Sequence, residues 1–153
     1  MRANDAEIER ALTFARQQVG VCEDPIGSNR GPEIDAWATE FGSPLGSSWC
    51  ALAVGKARKE GGLWIPTQDV GSCDEWVYQA TRDGLLVTDP VPGAAVVYTN
   101  HNRIASGRYE GQLDAVHIGL TRLAVVVHLP TGGPAGSPEG VAGCGAAAGC
   151  GAG

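Results

Sequence analysis

Cys50, in the stretch Gly46-Ser47-Ser48-Trp49-Cys50-Ala51-Leu52-Ala53-Val54-Gly55-Lys56, stands at the mouth of a helix. Ser47 or Ser48 serves as N-cap, which leaves the thiol in the first turn, where unpaired backbone N–H groups and the helix dipole favour a thiolate. That is the environment of a nucleophile. Most lone cysteines are inert core residues, so the reading requires a base, and the histidines at 101, 117 and 128 are the choices. His117 fits best. In Ala115-Val116-His117-Ile118-Gly119-Leu120-Thr121, strand alternation puts Val116, Ile118 and Leu120 on one face and His117, Gly119 and Thr121 on the other. A helix approaching over Gly119 would bring Cys50 beside the imidazole. His101 falls in a polar loop and reads as a solvated side chain.

Four helices are expected to hold the thiol in place. Asn4 with Glu7 forms a capping box, and Ile8, Ala11, Leu12, Ala15 and Val19 recur at helical spacing, giving a first helix from about Asp5 to Val19. Pro32 opens a second, with Ile34, Trp37, Ala38 and Phe41 inward and Gly42 as its stop. The Cys50 helix follows, ending at Gly61-Gly62. Ser72 with Glu75 is a second capping box, leading a fourth helix to a stop near Gly84. Beyond it the pattern turns to short β-rich segments: Leu85-Leu86-Val87, then Ala94 to Thr99 after the turn Pro92-Gly93, Ala115 to Thr121, and Leu123 to His128. Helices followed by strands make an α+β chain.

At 153 residues the chain suits one domain. Residues 1–129 are read as that domain, and 130–153, mostly Gly and Ala, as a tail too poor in apolar side chains to offset its ordering entropy. The net charge of −6, with basic residues dispersed except at Lys56 to Lys59, argues against a nucleic-acid partner. Five cysteines at 22, 50, 73, 144 and 150 form no framework and no C-x-x-C pair, so mostly reduced thiols are expected. Acidic residues form no recognisable calcium loop. No metal site and no organic cofactor are expected, with a calcium requirement left open. No run approaches the ~18 apolar residues of a membrane span, and the N-terminus has no apolar signal core. The expectation is a chain made in the cytoplasm, without membrane insertion.

Taken together, several segments resemble the CHAP-type cysteine amidases and endopeptidases of the NlpC/P60-related, papain-like clan, which cleave bacterial peptidoglycan. They are the N-terminal helix, the loop Glu23-Asp24-Pro25-Ile26-Gly27-Ser28-Asn29-Arg30-Gly31-Pro32, Ser48-Trp49-Cys50-Ala51, Pro92-Gly93-Ala94-Ala95-Val96-Val97-Tyr98 and Val116-His117-Ile118-Gly119-Leu120. The likeness spans about Ala11 to Leu120, with the cysteine 67 residues before the histidine (50 to 117).

The resemblance implies a papain-like α+β fold, its nucleophile helix packed on a C-terminal antiparallel sheet. It implies Cys50 as nucleophile and His117 as base, then acid, with Glu23, Asn29, Arg30 and Trp49 near the cleft. Turn chemistry and capping are the competing roles for the loop residues, and core packing for Trp49. Ala94 stands where such enzymes carry an acidic residue, and residues 123–129 contain no Asn, Asp or Glu to orient the imidazole. Either His128 takes that role or the site works as a Cys-His dyad. The implied function is that of a monomeric, endolysin-like thiol hydrolase, acting at the bacterial wall after release by a phage-type route. The rivals are an inactive relative that binds wall fragments or a partner protein, and a thiol hydrolase of other amides.

Overall fold

The computed structural model describes residues 4–89 and 91–121. Helices α1 (Asp5–Gln17), α2 (Pro32–Phe41), α3 (Cys50–Gly61) and α4 (Cys73–Arg82) precede strands β1 (Ala95–Arg103) and β2 (Leu113–Leu120), which pair antiparallel. The chain is therefore α+β, as its pattern predicts. Leu123 to His128 and the boundary at 129/130 lie outside the described residues.

Local signals account for most helix ends. At α1 the capping box closes in both directions: Glu7 N donates to Asn4 Oδ1 and Asn4 N to Glu7 Oε2, each at 2.9 Å. Gly42 and Gly62 end α2 and α3 with left-handed φ of 67° and 79°, a conformation that costs glycine no Cβ clash. The second capping box is only half made. Ser72 Oγ accepts from Glu75 N, but the Glu75 carboxylate turns inward instead of back to the cap.

α3 is the central element, packing on α1, α2 and β2. Its crossing with α1 is close enough that a Cβ on Gly61 would fall 2.6 Å from the Glu7 carbonyl oxygen and 2.7 Å from Ala11 Cβ. Towards α2, Glu40 receives Lys56 at 2.9 Å and Lys59 at 2.8 Å, and both lysines help hold its carboxyl below the usual range. Arg58 runs under the apolar segment after the helix and donates to the Trp64 and Gly93 carbonyls, joining α3 to the approach of β1. Burial pushes its pKa down to about 10, so it remains a cation at neutral pH.

Among the described residues two apolar clusters make up much of the core. One gathers Ala51, Val54, Val70, Cys73, Trp76, Ala115 and Ile118, and the other Ile34, Trp37, Ala38 and Leu52. Leu85, Leu86 and Val87 join neither, and no strand forms there. The Leu85 amide closes α4 by donating to the Ala80 carbonyl, and the three side chains are exposed.

The sheet is irregular at its middle. Tyr98 pairs with His117 but Thr99 with Ala115, so Val116 is an extra residue, a β-bulge. β1 in turn runs on through the polar Asn100-His101-Asn102-Arg103, with His101 at φ 67°. The sequence reads as a loop there because polar side chains give no alternation to detect.

Candidate active site

Cys50 is the first residue of α3, as expected, but the cap differs. Trp49 occupies the N-cap position and makes no side-chain cap bond, so neither Ser47 nor Ser48 serves. A different device holds the helix start. The Trp49 indole N–H donates to Glu23 Oε1 at 2.8 Å, while Glu23 Oε2 accepts from the Gly27 amide at 2.6 Å. The Trp49 ring packs into the second cluster, 6.2 Å from the Trp37 ring. The bond from Trp49, then those from the loop amides, holds the Glu23 carboxyl below its ordinary range. Glu23 and Trp49 thus staple the 23–31 loop to the residue before the thiol.

Arg30 is also engaged. Its guanidinium makes two bonds to the Asp35 carboxylate, at 2.8 and 2.9 Å, tying the loop to α2, and this pairing raises the Arg30 pKa and lowers that of Asp35. Asn29 occupies the left-handed region at φ 54°, a turn position that asparagine tolerates. The four loop and tryptophan residues gather around the start of α3 and α2 through turn and staple chemistry.

The Cys50 sulfur is half-buried and lies 3.7 Å from the sulfur of Cys73, the first residue of α4. Both are thiols, whereas Cys22 is disulfide-bonded, which corrects in part the expectation of reduced cysteines. The Cys50–Cys73 contact is absent from the sequence reading. Its only trace there is a second cysteine directly after a helix cap, at Ser72-Cys73.

His117 lies on β2, against which α3 packs. Ala95, Val97, Ile118 and Leu120 face the first cluster, where Cys50 also packs. By strand alternation Val96, Tyr98, His117 and Gly119 point the other way. His117 is exposed, with its ring 5.8 Å from that of Tyr98. From His117 to Leu120 the division of β2 into two faces follows the sequence reading, but the bulge at Val116 breaks it and brings Ala115 to the Ile118 side, and the side chosen by the helix differs. α3 covers the Ile118 face because Ile118 and Ala115 are the apolar side chains available to bury, and a Cβ on Gly119 would meet nothing within 4 Å. Cys50 and His117 are therefore on packed elements but on opposite sides of β2. His128 lies outside the described residues.

Sequence reasoning also misses a buried polar knot beside α4. Glu75, with no exposed surface, accepts from Arg108 at 2.8 and 2.7 Å and from the Tyr109 hydroxyl at 2.8 Å, and takes a further bond from the Gln79 amide. Among the described residues no group of three or more His, Cys, Asp or Glu is arranged to hold a metal ion, and no helix is long and apolar enough to cross a membrane. The chain matches no family model, no curated protein and no solved structure.

Proposed function

We propose that the chain is a cysteine-dependent hydrolase of bacterial peptidoglycan, an amidase or endopeptidase of papain-like design acting without an organic cofactor. One arrangement supports this reading beyond the sequence resemblance: the helix opened by Cys50 lies directly on the strand that carries His117. In the proposed reaction the Cys50 thiolate attacks an amide carbonyl of the peptide stem, or of the bond joining the stem to muramic acid. The first backbone N–H groups of α3 stabilise the oxyanion. Protonation of the departing amine by His117 requires its imidazole to come round to the α3 side of β2, and water then releases the acyl group. Glu23 and Trp49 act by fixing the start of α3. The chain works as a monomer on the wall, reached by a phage-type release.

A second reading has its own support. The His117 imidazole leaves β2 on the face away from Cys50 and packs beside Tyr98, as in a relative that keeps the fold and binds wall fragments or a partner without cutting. A purified wall suspension separates the two. Under the hydrolase reading the suspension clears, new amino groups appear, and Cys50→Ser abolishes both while leaving the fold intact. Under the binding reading the protein sediments with walls, releases nothing, and is indifferent to that substitution. A hydrolase of other amides would react with a thiol-directed substrate analogue at Cys50 yet leave walls untouched.

A further inference from the structure

We propose that Cys50 and Cys73 form a reversible disulfide by exchange with a low-molecular-weight disulfide, and that this bond withdraws the Cys50 thiol from chemistry. The proposal stands apart from the hydrolase reading, because bond formation needs only the two sulfurs. They are already in van der Waals contact at 3.7 Å, against about 2.05 Å when bonded. Cys50 occupies the first position of α3, where the dipole favours the thiolate that opens the exchange, and Cys73 opens α4 with its sulfur held against that of Cys50. Their exposures set an order of events. Cys50 is half-buried and meets the reagent, whereas Cys73, 6% exposed, is shielded from solvent but touches Cys50.

The step balances with glutathione disulfide as oxidant. The Cys50 thiolate attacks one glutathione sulfur, the S–S bond breaks, and one glutathione leaves as thiolate. Cys73 gives up its proton and attacks the Cys50 sulfur, and the second glutathione departs. Two protein thiols are oxidised and one small disulfide is reduced to two thiols. A reducing thiol reverses the sequence.

The test treats the full chain with glutathione disulfide, blocks remaining thiols by alkylation under denaturing conditions, and maps peptides without reduction. The expected result is a peptide pair linked through Cys50 and Cys73 and free of glutathione, with Cys50 labelling by an alkylating probe falling to background and returning after dithiothreitol. In Cys73→Ser, and in Cys73→Ala should the hydroxyl disturb folding, glutathione remains attached to Cys50. Melting curves confirm that the variants are folded. The proposal is overturned if the wild-type chain keeps glutathione on Cys50 with Cys73 still alkylatable, if Cys50 links to another cysteine, or if both sulfurs are recovered alkylated.

Discussion

His117 and Tyr98 oppose each other across the β1–β2 ladder, rings 5.8 Å apart, on the side of the sheet turned away from α3 and its leading thiol. Under the hydrolase proposal His117→Ala lowers amine release from walls by about a hundredfold or more, the scale of a lost general acid and base. His117→Gln does the same. If both retain wild-type release, the imidazole belongs to the surface pair with Tyr98 and not to catalysis. Because the pair is exposed, His117→Ala should cost no more than about 1 kcal/mol of stability, read from denaturant melts.

The Glu23–Trp49 staple is open to a two-sided test. Trp49→Phe keeps the ring in its cluster but removes the N–H donor, and should cost about 1 to 2 kcal/mol while loosening the first turn of α3. Glu23→Gln should cost less, since an amide oxygen still accepts from the indole. Hydrogen exchange at the Ala53 amide, which donates to the Trp49 carbonyl at 2.9 Å, is the readout. Unchanged exchange in Trp49→Phe would mean that the staple does not hold the helix start.

Stability should fall in acid through the buried knot at Glu75. Burial alone would raise this carboxyl, but hydrogen bonds from Arg108, Gln79 and Tyr109, with the Arg108 charge, outweigh it and hold the group below its ordinary value of 4.5. The unfolded chain therefore binds the proton more readily. The contribution is complete above pH 4.5 and is lost as pH falls below it. Glu75→Gln should cost about 1 to 3 kcal/mol at neutral pH and flatten the acid limb of a stability-against-pH curve. At the alkaline end Tyr109, pushed up to about 12 by burial and then by the Glu75 bond, loses its contribution as pH rises above 10.0. Parallel acid limbs for wild type and Glu75→Gln would refute this assignment.

Gly61→Ala should destabilise by about 1 to 3 kcal/mol, since a Cβ there would meet the α1 backbone and Ala11. Gly20→Ala offers a useful contrast: its left-handed φ of 98° strains the backbone, but the new methyl would touch nothing. Equal melting temperatures for Gly61→Ala and the wild type would argue against the close α1–α3 crossing.

What the sequence reveals is what neighbouring residues decide. The Asn4–Glu7 box, the Pro32 start, the Gly42 and Gly62 stops and the inward stripe of α2 all depend on side chains within a turn or two, and each is found where the pattern puts it. The placement of Cys50 at the head of its helix is of this kind. What escapes is decided at long range. Nothing near Trp49 says that its indole will find Glu23, so the serines before it look like caps. The side of β2 that α3 covers depends on the bulge at Val116 and on which apolar residues remain to be buried, and neither leaves a periodic signature. The sulfur contact between Cys50 and Cys73 and the Arg108–Glu75 pair join residues far apart in the chain, and spacing carries no record of them.

Among the described residues Arg58 reaches only main-chain oxygens, those of Trp64 and Gly93, so its hold on two distant stretches is blind to the side chains those stretches carry. Sequence drift at position 64 leaves its acceptor in place, whereas a single change at Arg58 releases both tethers at once. The fastening is asymmetric: one residue is irreplaceable and its partners are anonymous.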